Sequence, residues 1–378
     1  MPETGRCAMY NLYETIRSIL WPKKPFKHCL LVWCGILTAG LWPFHTPRNE
    51  VTWARDEPAL ILSGYNVIFS SGMFNSSGSL CSIELWLTPG ITYDSSTILD
   101  FYTPANPHQL SLRQHNDSLV VSSDIGDEKH ETKSMLASSD VFQKGNRVLV
   151  AITVSAEKTV IYTDGKPTRT STPFPLAGQI CSGKLLLGNS PVRVDSWLGR
   201  VQGVAVYSAE LSPEEVFAHY ESWLRKRRPE ILPGEQLVAL YLLNDGKGNV
   251  IHNEIRSGSD LYIPERYRIL CQPLLEPPWR EYHSSINYWA SAALNVAAFV
   301  PLGWFVYAYL STSSTRKTAF LAAVFFGTAT SLTIEILQAY LPTRHSGTTD
   351  IVTNTLGTLL GVLLWRKVTP RVASKVKE

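Results

Sequence analysis

The sequence lacks the short motifs that mark many soluble enzymes. It has no glycine-rich nucleotide loop, no Gly-x-Ser-x-Gly turn and no His-Glu-x-x-His helix. These absences argue against a P-loop phosphotransferase, an α/β-hydrolase and a zinc protease. Cysteine is scarce: none of the six forms a Cys-x-x-Cys pair or a Cys/His array with zinc spacing, so no metal centre is expected. His108, His115 and His130 have no matching ligand cluster. A glycoside hydrolase needs two carboxylates facing one sugar, and no strand-like stretch carries closely alternating acids. The net charge of +3 is small and its basic residues gather in the tails, so no nucleic-acid partner is expected.

What the chain does have is long apolar runs at both ends of a polar, strand-like middle. Its 378 residues can hold a membrane domain and one substantial globular domain. A hydrocarbon layer of about 30 Å takes roughly 20 residues of helix. Four runs approach that length: residues 28–44, 288–310, 319–341 and 349–366. A secretory signal is the rival reading of the first. Its basic leader is long, however, and no small-x-small cleavage site follows Leu41. The positive-inside rule sets the topology. The tail 1–27, the loop Ser311–Thr318 with Arg316 and Lys317, and the tail 367–378 are all basic and fall on one side. Both termini are then cytoplasmic, and residues 45–285 are extracytoplasmic.

That extracytoplasmic region reads as an all-β sandwich. Ser82–Thr88 alternates apolar and polar residues, and Asp164-Gly165 after Thr159–Thr163 is a hairpin turn signal. The sandwich core is expected over 60–225, with a completing strand in 237–264 and a proline-rich linker over 266–285. Ser212-Pro213-Glu214-Glu215 is a helix start with a capping box. The helix from Pro213 to about Lys226 should pack Val216, Phe217, Tyr220, Trp223 and Leu224 onto the sandwich. Among Cys81, Cys181 and Cys271 one disulfide can form, and the sequence leaves the pair open. Asp124–Glu131 is acidic; a solvated charge run is the plain reading and a calcium loop the alternative. Trp86 and Trp197 are either core residues or sugar-stacking platforms. Arg225–Arg228 is a solvated helix end or a contact for anionic polymer, and Asn75 and Asn116 head glycosylation-type triplets.

The membrane block is unusual in its polar residues. Asn295, Glu335, Gln338 and Asn354 lie within apolar runs, and Arg344 and Asp350 in the connection before the last. Such residues at membrane depth are costly and mark a site by default. At about 1.5 Å per residue they all fall toward the outer face, as an outward-opening polar pocket would require. The structural alternative is that they bond the helices together. Gly303, Gly357 and Gly361 are close-packing positions, and Pro301 a kink.

Two resemblances add to this reading. Asn295-x3-Phe299-x-Pro301-Leu302-Gly303, Ser331-Leu-Thr-Ile-Glu335-x2-Gln338, Arg344 and Asp350-Ile-Val-x-Asn354-Thr355-x-Gly357 resemble the VanZ-like family of bacterial membrane proteins. The resemblance implies a small helical domain in the cytoplasmic membrane and a link to glycopeptide resistance, without a settled activity. Ser82-Ile-Glu-Leu-Trp-Leu, Tyr162-Thr-Asp-Gly, Leu185-Leu-Leu-Gly188 and Leu198-Gly-Arg-Val-x-Gly-Val-Ala-Val-Tyr207 resemble the concanavalin A-like, laminin G-type jelly roll. The expected fold is thus a four-span α-helical membrane bundle carrying an all-β sandwich. The expected function is binding of an envelope glycan or surface partner, without a cofactor. The alternatives are an enzyme that uses Glu335 and Asp350 on a lipid-linked substrate, and a structural anchor.

Overall fold

The computed structural model describes residues 25–74, 80–125, 132–155, 157–171, 181–256, 258–282 and 286–375. Residues 1–24 and 376–378, Asn75, His130 and the acidic stretch after Ile125 lie outside them. The chain forms two compact units, Thr46–Gln272 and Met1–His45 with Pro273–Glu378.

The first unit is a two-sheet sandwich. Its strands are β1 Val51–Trp53, β2 Leu60–Leu62, β3 Ile68–Ser70, β4 Cys81–Pro89, β5 Ser95–Tyr102, β6 Leu110–His115, β7 Ser118–Ile125 and β8 Thr132–Ser138. They continue with β9 Val148–Val154, β10 Thr159–Thr163, β11 Lys166–Ser171, β12 Lys184–Leu187, β13 Gly199–Tyr207, β14 Leu237–Tyr241, β15 Val250–Ile251 and β16 Leu261–Tyr262. One sheet runs β1-β2-β13-β4-β9-β10-β11, with β14 also on β13. The other runs β15-β16-β3-β12-β5-β6-β7-β8. All the pairings between strands are antiparallel, which lets one face of each sheet enter the core. The core takes alternate residues from both: Ile83, Leu85 and Leu87 from β4 meet Leu110 and Leu112 from β6. Cys81 and Cys181 are disulfide-bonded within it, 100 residues apart in sequence, and Cys271 remains a free thiol.

The segment after the sandwich proper returns to it. Leu237–Tyr241 pairs with Val204–Tyr207, on the edge of β13 that β2 occupies further along. Leu261–Tyr262 joins β3 on the opposite sheet. The linker expected over 266–285 is not free-standing. Tyr267 is fully buried and its hydroxyl accepts from Asn189 Nδ2 at 2.9 Å, while the Cys271 N–H donates to Pro191 O at 2.7 Å. From Pro273 the chain belongs to the second unit. An aromatic residue that fills a core gap outweighs the stiffness of nearby prolines.

Helix α1, Pro25–Leu41, opens the second unit, and α2, Pro213–Lys226, lies on the outer face of the first sheet. Ser212 Oγ accepts from the Glu215 N–H, and the Glu215 carboxylate accepts from the Ser212 N–H at 2.7 Å, so the capping box forms. The buried stripe is Val216, His219 and Trp223, with Tyr220 half-buried beside it. Phe217 and Leu224, expected inside, are 43% and 56% exposed. Positions 216, 219, 220 and 223 follow the helical repeat toward the sheet; 217 and 224 fall off its flank. Trp86 and Trp197 are both interior. Trp86 stacks on Trp223 at 6.0 Å, and Trp197 Nε1 donates to Gln114 Oε1 at 2.7 Å. Trp197 is therefore a core residue.

In the second unit α3, Pro278–Glu281, is one turn, followed by α4 Ile286–Leu310, α5 Arg316–Gln338 and α6 Thr348–Lys375. Among the described residues two helices, over Tyr288–Leu310 and Arg316–Gln338, are long and apolar enough to cross a membrane. The other two expected spans do not reach that standard. Helix α1 has 17 residues, beginning and ending three residues before the expected run. Helix α6 begins with Asp350 in its first turn and continues past Arg366, well beyond the expected end. The third expected span also stops early, because α5 ends at Gln338 and a turn follows. Helices α4 and α6 meet through small residues. A Cβ on Gly303 would strike the Thr358 backbone, and one on Gly357 or Gly361 the Val296 or Val300 carbonyl. Backbones this close require glycine.

Candidate functional site

Each of the six polar residues singled out in the second unit takes part in a hydrogen bond to another segment of the chain. They make a set of ties. Helix α5 turns Ser331, Glu335 and Gln338 inward, three and four residues apart and so on one face. Glu335 is 1% exposed, and its Oε2 accepts from the Gly347 N–H at 2.8 Å. Gln338 Nε2 donates to Gly40 O, in the last turn of α1, at 2.7 Å. Arg344 donates to Trp42 O and, at 3.2 Å, to Ala39 O. Asn295 Nδ2 joins α4 to α6 through Asp350 Oδ1 at 2.8 Å. Asn354 Nδ2 joins α6 to α5 through Ser331 Oγ at 2.9 Å, and its buried Oδ1 has no hydrogen-bond partner among the described residues.

Several participants escaped the sequence reading. Glu281 Oε2 accepts from the Thr349 N–H at 3.0 Å, so Glu281 and Glu335 flank the same connection. Ser346 holds the incoming segment: its Oγ accepts from Leu275 N–H and its carbonyl from Glu276 N–H at 2.9 Å. Only Ser331 had a signal, its position four residues before Glu335. Glu281 follows two prolines and gives no pattern of its own.

The first unit holds a second polar cluster, beneath α2. His219 is fully buried. Its Nδ1 lies 2.8 Å from Glu84 Oε1 on β4, and its Nε2 lies 3.1 Å from Glu235 Oε1. Tyr207 Oη donates to Glu84 Oε2 at 3.1 Å, and the Leu232 N–H donates to Glu235 Oε2 at 2.9 Å. A neutral imidazole has one N–H and can serve one carboxylate; the imidazolium serves both. Burial pulls His219 down, and the two carboxylates outweigh it, so the group sits above its ordinary value. Asp100 on β5 is buried beside Ser111, with His108 Nδ1 at 4.0 Å. Burial drives its carboxyl well above the usual range, against the lowering effects of Ser111 and Arg113. Among the described residues no group of three or more His, Cys, Asp or Glu is placed to hold a metal ion.

Comparison with known families now bears on both units. A family described as VanZ/LLP1 matches residues 250–369. One described as the concanavalin A-like lectin/glucanases superfamily matches 63–217. The chain carries both domains. The VanZ/LLP1 match covers α4, α5 and most of α6, with all six polar residues, and begins among the last strands of the sandwich. No curated protein matches the chain. Solved structures similar to it include a SAP-like pentraxin from Limulus polyphemus, 11% identical with a TM-score of 0.39, covering 57% of this chain and 97% of that one. A putative carbohydrate binding protein from Bacteroides ovatus is 14% identical with a TM-score of 0.37, covering 58% of each chain. A botulinum neurotoxin serotype D binding domain is 14% identical, with a TM-score of 0.37 and 57% and 73% covered.

Proposed function

We propose that this chain is a multi-pass membrane protein of the bacterial envelope whose concanavalin A-like domain binds a glycan outside the cytoplasm. The VanZ/LLP1 domain anchors it there. The observation that carries the reading is the pairing of these two domains in one chain. Two further observations support it. Helices α4 and α5 are long and apolar, and the Cys81–Cys181 disulfide suits an oxidising compartment.

In this reading Asn295, Glu335, Gln338, Arg344, Asp350 and Asn354 lock the bundle, because each is engaged in a bond between chain segments. Interhelical hydrogen bonds in membranes contribute only about 0.6 kcal/mol each on average, so the lock depends on several acting together. Binding of purified full-length protein to a panel of envelope glycans tests the proposal. Saturable binding to a glycan supports it; no binding to any contradicts it.

One observation favours an enzyme instead. Asn354 Oδ1 is a buried acceptor without a donor among the described residues, on the helix that also bears Asp350. A lipid-linked sugar could supply that donor, with Glu335 or Asp350 as proton acceptor. Turnover of such a substrate, lost in Glu335→Gln while the fold is kept, would establish this second reading.

A further inference from the structure

We propose that the cleft between the C-terminal end of α2 and the outer face of the first sheet binds a single acidic sugar unit. This rests on the glycan-binding reading above and gives it a place and a ligand chemistry. The cleft has a volume of about 180 Å³. That is below the roughly 300–1,000 Å³ of clefts that enclose a drug-sized ligand, and it suits one sugar ring. The buried indoles of Trp86 and Trp223 and the side chain of Leu242 form its apolar part.

Its polar part is unevenly satisfied. Glu57 on the wall is fully engaged: it is paired with Arg147, lies 3.3 Å from Arg200 and accepts from Gln202 Nε2 at 3.4 Å. Lys226 is paired with Glu230 at 2.8 Å. Arg227 also lines the cleft and has no ion-pair partner among the described residues, so the mouth keeps one uncompensated cation. Gln202 is 6% exposed, and its amide nitrogen also donates to Thr88 Oγ1 at 2.6 Å. Glu57 can only accept, which fixes the amide with nitrogen toward it; Oε1 is closed off from solvent and has no partner among the described residues. Asn244 adds a second amide to the lining.

The Asn244 amide at the lining can both donate and accept, which suits a ligand hydroxyl. A free guanidinium calls for an anion, and arginine is suited to bidentate carboxylates and phosphates. A sugar unit bearing hydroxyls and one anionic group answers both. The carboxylate of a hexuronic acid and the phosphate of a phosphorylated sugar are the two sources of that anion.

The test titrates full-length protein, in detergent or nanodiscs, with a hexuronate oligosaccharide, a phosphorylated oligosaccharide and a neutral oligosaccharide of equal length. Arg227→Asn and Asn244→Ala are run beside the wild type. Asparagine keeps the left-handed backbone at position 227, where φ is 55°. The proposal expects one acidic ligand to bind at least about tenfold tighter than the neutral one, with Arg227→Asn removing that preference. Asn244→Ala should weaken binding several-fold. Which acidic ligand binds identifies the source of the anion. Equal binding of the neutral oligosaccharide overturns the proposal. Glycan binding unchanged in both variants overturns this site and leaves the glycan-binding reading standing. No binding of any glycan overturns both.

Discussion

At the scale of the residue, the clearest commitment lies in His219. An imidazolium held between Glu84 and Glu235 ties α2 and the following loop to β4. Removing one member of a buried charged set typically costs about 3–5 kcal/mol. We expect His219→Ala to lower the denaturant midpoint of the β unit by a corresponding amount. The folded pKa is raised, so the stabilisation is complete below the ordinary value of 6.5 and is lost as pH rises through the folded value. The gap between wild type and variant should therefore be wider at pH 6 than at pH 9; a constant gap would contradict the charged reading. Asp100 carries the opposite lesson. Its folded pKa is also raised, so its contribution is fully present below 3.8 and lost as pH climbs. Asp100→Asn keeps the shape and removes the charge. Equilibrium unfolding should find the variant more stable at neutral pH and the advantage gone in acid; destabilisation at both would refute it. Neither residue was legible as a site in the sequence. His219 sits among aromatics that compete for the same helical stripe, and Asp100 looks like any polar position on an alternating strand. Glu335 and Asn354 were legible because a polar side chain inside an apolar run stands out, whereas their partners Gly347 and Ser331 do not.

At the scale of the element, the returning strands decide whether the sandwich is complete. They bury Leu240, Leu243, Ile251 and Leu261, and each fully buried aliphatic side chain contributes about 1.5–3 kcal/mol. The set amounts to roughly 6–12 kcal/mol, comparable with the whole stability of a domain. Residues 48–228 expressed alone should give an aggregating or poorly folded product, and residues 46–272 a monodisperse one. Size-exclusion chromatography with circular dichroism separates these outcomes, and a well-behaved shorter fragment would contradict the completing role. The segment was legible because Leu237–Leu243 reads as a strand while too little chain follows for a second domain. Helix α2 was legible from its capping box. Its burial was read one flank too wide, because Phe217 and Leu224 are apolar but lie off the face that meets β4 and β13. The helix ends in the membrane block were misplaced for a related reason. Hydropathy runs through Leu341, but the turn after Gln338 is set by Glu335 and Gln338 bonding the connection and α1.

At the scale of the whole molecule, the two units carry different domains, and the proposal is that one recognises while the other holds. Composition made that division visible, since apolar runs and alternating strands segregate along the chain. The proposed cleft was hidden, because its lining is drawn from positions 57–244 and no short motif spans it. The account's central claim is that glycan recognition belongs to the concanavalin A-like domain and that Glu335 is a structural tie. The most direct measurement is the affinity of purified full-length protein and of its Glu335→Gln variant for envelope glycans and lipid-linked wall precursors. Both proteins are first shown to be monodisperse. The account predicts that both bind the same glycan with equal affinity, while the variant unfolds at a lower temperature. Binding of a lipid-linked species that disappears in an equally stable Glu335→Gln would contradict it and place recognition in the helical unit.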